Sequence, residues 1–305
     1  MLTLTVDRDG VAAAHAHIHP YLRRTPVLAL DGLTAKLELC QHAGSFKTRG
    51  AFANLLMRDV PPAGVVAATG GNHGASVAFA ARALGHKAKI FAPRYASPAK
   101  LQRIRDYGAT LVLADGIPEA FEQAEAWATE SGAIVVHSFD QVETMLGAGT
   151  VGLELQEQAP ALDTLLVPVG GGGLIAGLGA WYDGSLRVIG VEPEASPTLY
   201  NAFRAGHPVD TQSGVGIAAD AMSPKRVGEQ VYPVARRWVE RVVLVTDDAI
   251  RRAQEHLWSH ARVVAEPAGA CALSAILSNV YTPAPAERVG IVISGGNTIA
   301  VDFTR

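Results

Sequence analysis

The chain has 305 residues, 49% hydrophobic and 18% charged, enough apolar material for one large domain or two smaller ones. A net charge of −3 excludes a basic field that would attract nucleic acid, and no apolar run reaches the length of a membrane span. The first nine residues lack a basic stretch followed by a long apolar run, so a cytoplasmic protein is expected.

His15, His17 and His19 alternate near the N-terminus, a spacing that does not bring three side chains to one helix face and argues against a metal site there. Gly44-Ser45-Phe46-Lys47-Thr48-Arg49-Gly50-Ala51 then sets a lysine between small residues and an aromatic. A partly desolvated lysine is easier to deprotonate, and a neutral amine forms a Schiff base with an aldehyde. A surface lysine at a helix start is the plain alternative. Cys40 and Cys271 lie in apolar surroundings and read as buried thiols of a reducing compartment, not as a disulfide framework.

Val65-Val66-Ala67-Ala68 reads as a buried strand, followed by a glycine turn and a helix from Ala75 to Leu84 that Gly85 closes. Lys89–Ala92 is the next strand. A helix follows over Pro98–Tyr107, then a strand at Thr110–Leu113, a helix over Glu119–Glu130 and a strand at Ile134–Val136. Later strands are expected at Leu165–Val169, Val188–Val191, Val242–Val245 and Gly290–Ile293. Alternation of this kind predicts a parallel α/β architecture with two lobes, residues from about 53 to 138 supplying four strand–helix steps of their own.

Three glycine loops stand at strand ends, where ligands of open α/β sheets bind. Thr69-Gly70-Gly71-Asn72-His73-Gly74 opens a helix; Asn72 offers an amide able to bond a phenolic oxygen, while His73 reads as a base or as a packing residue. Gly170-Gly171-Gly172-Gly173 lies between a strand and an apolar helix, so its N–H groups can form an anion cradle. No Lys-Ser/Thr pair follows, which excludes a nucleoside-triphosphate P-loop. Ser294-Gly295-Gly296-Asn297 follows the last strand and supplies a neutral hydroxyl, and Glu266 sits just before an apolar helix, as a site acid or a helix cap.

Together with Gly147-Ala148-Gly149-Thr150 and Gly190-Val191-Glu192-Pro193, these segments resemble, in order and over nearly the whole chain, the fold-type II pyridoxal phosphate enzymes, serine/threonine dehydratase and serine racemase branch. The resemblance implies a two-lobed, tryptophan synthase β-like α/β fold with parallel sheets flanked by helices. Residues 1–53 and 139–305 would form a large cofactor-binding domain and 54–138 a small substrate-gating one. It implies pyridoxal 5'-phosphate as cofactor, with Lys47 as the Schiff-base lysine and proton carrier and Phe46 flanking the ring. Asn72 would meet the phenolic oxygen, Gly170, Gly171, Gly172 and Gly173 the phosphate, and Ser294 the ring nitrogen. Ser45, Thr69, Gly70, Asn72 and His73 would receive a small amino-acid substrate, and Glu266 would be an acid at the ring's side. The implied reaction is dehydration and deamination of L-threonine or L-serine to a 2-oxo acid and ammonia, in a homodimer.

Departures from the family pattern sharpen the expectation. Racemases of this branch carry a second serine where Gly70 stands, which disfavours racemisation. The family's cation site pairs a glutamate with an acid six residues on; Glu192 matches and Ser196 offers a carbonyl, but Thr198 replaces the acid, so a divalent cation, a monovalent cation or none is expected. Ala219-Asp220-Ala221 also departs from the family's Ala-Asp-Gly, which leaves another β-hydroxy amino acid such as 3-hydroxyaspartate open as substrate. From other classes, Gly171 to Gly177 with Glu192 partly matches a dinucleotide-binding oxidoreductase, and a cofactor-carrying binding protein without activity is a third reading.

Overall fold

All the strands expected from apolar runs form, and they divide between two sheets. The structure, a computed structural model, describes residues 4–69, 71–222 and 224–298. The chain opens with α1 (Arg8–Ile18), β1 (Val27–Leu30), β2 (Leu33–Leu37) and α2 (Lys47–Met57). It continues through β3 (Val65–Ala68), α3 (Asn72–Leu84), β4 (Ala88–Pro93), α4 (Pro98–Asp106), β5 (Thr110–Ala114), α5 (Ile117–Ser131) and β6 (Ile134–Val135). Next come α6 (Val142–Gln158), β7 (Thr164–Pro168), α7 (Gly173–Tyr182), β8 (Arg187–Pro193), α8 (Thr198–Ala205), α9 (Ala219–Met222) and α10 (Val231–Trp238). β9 (Val239–Val245), α11 (Asp247–Ala261), α12 (Pro267–Leu277) and β10 (Val289–Ile293) complete the order.

One sheet has the order β5-β4-β3-β6 and is parallel throughout. The other has the order β1-β2-β10-β7-β8-β9, parallel except for β1, which pairs antiparallel with β2. Every residue of β3, β7 and β10 is buried. Parallel strands covered by helices on both faces read as continuous apolar runs, which is why these were visible in the sequence. α3 begins at Asn72, three residues before the expected start, so Asn72 and His73 belong to its first turn.

The Gly147-Ala148-Gly149-Thr150 segment is explained by packing. A Cβ at Gly147 would lie 2.5 Å from the Arg49 carbonyl of α2, and one at Gly149 would lie 2.7 Å from the Gly177 carbonyl of α7. These glycines let α6 run backbone to backbone against both helices that carry the site. Beneath that crossing lies an ionic lattice. The buried Arg49 guanidinium donates to Glu38 at 2.8 Å, to Glu154 at 2.9 Å and to Thr150 at 3.1 Å. The buried Lys36 ammonium donates to Glu154, Gln158 and the Thr25 carbonyl, each at 2.8 Å. Two cations against two carboxylates leave no uncompensated charge, and the lattice ties β2, α2 and α6 together two residues past Lys47.

Candidate active site

The chain around Lys47 is pinned by the loop after β10. Ser45 bridges to Gly295, and the Phe46 N–H donates to the Ser294 carbonyl at 3.1 Å. Phe46 is the N-cap of α2, and its ring centroid lies 5.1 Å from the Lys47 ammonium. Lys47 Nζ donates to the Ser138 carbonyl at 2.6 Å, and among the described residues it has no carboxylate partner. Burial alone therefore pulls its pKa down to about 8.

The four glycines turn the chain from β7 into α7, with Gly172 in the left-handed region at φ +89°. Their carbonyls are committed: Gly170 O accepts from the Thr198 hydroxyl at 2.6 Å, Gly171 O from the Gly228 N–H at 3.2 Å, and Gly172 O from the Ala176 N–H at 3.0 Å. Among the described residues no hydrogen bond takes the N–H of Gly171, Gly172 or Gly173 at this helix start. Free donors on the positive end of a helix dipole suit an anion. Phe139 backs the turn: a Cβ at Gly171 would collide with its ring, and one at Gly173 would fall 2.9 Å from its carbonyl.

Asn72 is fixed by two neighbours. Its Nδ2 donates to the Glu266 carboxylate, and its Oδ1 accepts from Asn297 Nδ2 at 2.9 Å. One Nδ2 hydrogen remains for a ligand oxygen. Glu266 is the N-cap residue of α12, yet its side chain caps nothing and reaches Asn72 and Lys100 instead. Burial raises its pKa, and Lys100 is the leading group opposing that rise. Lys100 itself is held above the ordinary lysine value: burial pulls it down, but Glu266 and Asp220 outweigh it. Ser294 is buried, its hydroxyl making one long contact with the Ala268 carbonyl at 3.4 Å, and the buried Ser45 hydroxyl has no partner among the described residues.

The other expected site residues are placed as follows. Thr69 accepts the Gly71 N–H on its hydroxyl at 3.2 Å and so shapes the loop. Gly70 lies outside the described residues. His73 is buried, its Nε2 at 2.8 Å from the Val136 carbonyl, which makes that nitrogen the donor. Burial, aided by the charge of Lys47, pushes its pKa down to about 3, so its ring is neutral at ordinary pH, with one nitrogen committed to Val136.

Glu192 is also engaged elsewhere. Its carboxylate accepts the Leu199 and Tyr200 N–H groups at 2.8 and 2.9 Å and lies 2.8 Å from the Thr198 hydroxyl, at the start of α8. The Ser196 hydroxyl is buried without a partner among the described residues. Among the described residues no group of three or more His, Cys, Asp and Glu is arranged to hold a metal ion. The Glu192 carboxylate serves the head of α8 in this structure.

Several contributors carry no local signature. Ser138 and Phe139 precede α6 in an ordinary segment. Lys100 donates to Asp220 at 2.5 Å and to Glu266 at 3.3 Å, and Arg103 donates to Asn297. Their partners Asp220, Glu266 and Asn297 stood in segments that the sequence singled out; Lys100 and Arg103 did not.

The site can be compared with known proteins. A family profile described as "Pyridoxal-phosphate dependent enzyme" matches residues 18–295. The chain belongs to this family. It is 38% identical to the phenylserine dehydratase of Ralstonia pickettii over 99% of its own length and 97% of the relative's. It is 35% identical to a serine racemase of Oryza sativa subsp. indica, covering 95% of this chain and 91% of the relative. The crystal structure of a T.th. threonine deaminase superposes with a TM-score of 0.91 at 34% identity, covering 98% of this chain and 100% of that one. The dinucleotide-oxidoreductase alternative falls with this match, because Gly171 to Gly177 and Glu192 lie inside it.

Pyridoxal phosphate fits the residues present. Unpartnered N–H groups open α7, a spare amide hydrogen remains on Asn72, the Ser294 hydroxyl is only weakly engaged, and a desolvated lysine stands at the start of α2.

Proposed function

We propose that this protein removes water and then ammonia from β-hydroxy amino acids, L-threonine and L-serine first among them, leaving a 2-oxo acid. The observation that carries the reading is Lys47: an amine with a pKa of about 8 and no counter-ion among the described residues. Pyridoxal phosphate, when bound, supplies the sink for negative charge developing at the substrate's α-carbon. In this reading Lys47 Nζ would be the amine that holds the cofactor's aldehyde and the base that carries the substrate's α-proton. The N–H groups of Gly171, Gly172 and Gly173 grip the phosphate, and Asn72 Nδ2 donates to the phenolic oxygen. A serine hydroxyl at Ser294, in place of a carboxylate, leaves the ring nitrogen largely unprotonated, which favours prompt loss of the β-hydroxyl. Ser45 and the Thr69–Asn72 loop take the substrate carboxylate, residues 54–138 act as the gating domain, and the active form is a cytoplasmic homodimer.

The test begins with colour. The purified protein should show a visible band that borohydride removes and that Lys47→Ala lacks. A protein that stays colourless with added pyridoxal phosphate sinks the reading. A panel of L-threonine, L-serine, their D-forms, 3-hydroxyaspartate and 3-phenylserine, scored by 2-oxo acid release, then ranks substrates. Phenylserine joins the panel because a phenylserine dehydratase is 38% identical to this chain. Racemisation is the second reading, favoured by the serine racemase relatives and opposed by Gly70; appearance of D-serine from L-serine faster than 2-oxo acid would establish it.

A further inference from the structure

Lys100 stands apart from the residues so far given a role. It sits on α4, which joins β4 to β5 of the four-stranded sheet, yet its ammonium is bonded to residues of the other half. Asp220 on α9 accepts from it at 2.5 Å, and Glu266 at the head of α12 accepts at 3.3 Å. The side chains of Lys100 and Glu266 are only 7% and 2% exposed, whereas that of Asp220 is 52% exposed. The second oxygen of Glu266 takes the Asn72 amide.

We propose that Lys100 is a positioning residue that clamps the two sheets across the site and, by its ion pair with Glu266, fixes the amide of Asn72. This rests on the reading that Asn72 faces the cofactor. A buried carboxylate without a counter-ion takes up a proton. Neutral Glu266 would hold the Asn72 amide by an ordinary hydrogen bond in place of a charge-assisted one about twice as strong. The remaining amide hydrogen, the one offered to the ligand, would then lose its fixed direction. Asp220 adds the grip between halves: it is half exposed, and its bond reaches Lys100 of α4 from α9.

A purely structural brace would lower the melting temperature and change nothing at the cofactor. The holoenzymes of wild type, Lys100→Met, Lys100→Arg, Glu266→Gln and the Lys100→Met/Glu266→Gln double variant separate the two. Visible absorption of the bound cofactor, kcat and melting temperature are read for each. Expected is a displaced visible band and at least a tenfold loss of kcat in Lys100→Met, with recovery of the band in Lys100→Arg. In the double variant, where no buried charge is left unpaired, the band should match that of Glu266→Gln alone. A Lys100→Met holoenzyme with the wild-type band and kcat and only a lower melting temperature overturns the proposal. So does a double variant whose band moves beyond that of Glu266→Gln, a comparison that holds even if Lys100→Met alone fails to fold. A wild type without any visible band sinks the cofactor reading itself, an outcome distinct from both.

Discussion

Lys47 Nζ is bonded to the Ser138 carbonyl at 2.6 Å, across 91 residues of sequence, and that neutral oxygen is what holds its ammonium. A carbonyl orients an amine without stabilising its charge as a carboxylate would. Desolvation therefore goes unopposed, and the pKa falls to about 8. The folded value lies below the unfolded one, so between them the unfolded chain binds more protons and stability rises with pH. In the cofactor-free protein, stability should rise from about pH 8 toward the ordinary lysine value, and Lys47→Met should abolish the rise. Below that window Lys47→Met should be the more stable by about 1–3 kcal/mol, since a tenfold change in acidity corresponds to about 1.4 kcal/mol. Urea unfolding of both proteins on either side of the window checks this; parallel pH profiles would contradict it.

The glycine cradle is set by Phe139 as much as by its own backbone. A methyl at Gly171 would press into the Phe139 ring, closer than real contacts allow. Gly171→Ala should therefore destabilise the protein by about 1–3 kcal/mol, the usual effect of overpacking. It should also weaken pyridoxal phosphate binding at least tenfold. Phe139→Ala makes room for that methyl, so the double variant should be less unstable than the two single effects predict, with a coupling of about 0.5–3 kcal/mol. Additive effects in a double-mutant cycle would mean that the ring does not set the loop.

What could be read in the sequence was what lies within short windows. β3, β7 and β10 are buried on both faces and announce themselves as apolar runs. Lys47, Asn72, Gly170 to Gly173 and Ser294 each stand in a small-residue segment at an element boundary, where a ligand can approach. β1 and β2 escaped: β1 is a four-residue edge strand with a single buried residue, and β2 carries Lys36, whose buried ammonium is paired with Glu154 far along the chain. Ser138 and Lys100 escaped for the same reason. Each acts through a partner 91 to 166 residues away, and nothing local distinguishes Lys100 from a surface lysine of a polar helix. His73 and Glu192 were visible as residues, but their bonds to the Val136 carbonyl and the head of α8 were not.

Arg49 should prove more consequential for stability than for chemistry. Its guanidinium is buried between Glu38 and Glu154, and removing it leaves those carboxylates with Lys36 as their cation. Breaking a buried ion pair from one side costs about 3–5 kcal/mol. Arg49→Met should lose about that much in urea unfolding. Because α2 is tied down through Arg49, the Lys47 pKa should move as well, seen as a displaced midpoint when cofactor capture by the apoprotein is followed against pH. A loss under about 1 kcal/mol would show that the lattice is replaceable by packing.

Glu192 offers a test of how its site is used. Burial raises its pKa to about 7 against the pull of Leu199, Tyr200 and Thr198. A carboxyl group whose folded pKa is raised gives stability that is fully present below the unfolded value and is lost as pH rises through the folded one. Wild type should thus lose stability between the ordinary glutamate range and about pH 7, and Glu192→Gln should not. At low pH the variant should be weaker by about 1–3 kcal/mol, because an amide N–H replaces an acceptor facing a backbone N–H. That gap should narrow as pH rises. Were the carboxylate instead a cation ligand, millimolar Ca²⁺ or Mg²⁺ would raise the wild-type melting temperature by mass action, and chelator would lower it. With both oxygens taken by the head of α8, neither addition should move the melting temperature or the rate. A metal-dependent shift that vanishes in Glu192→Gln would return the glutamate to ion binding.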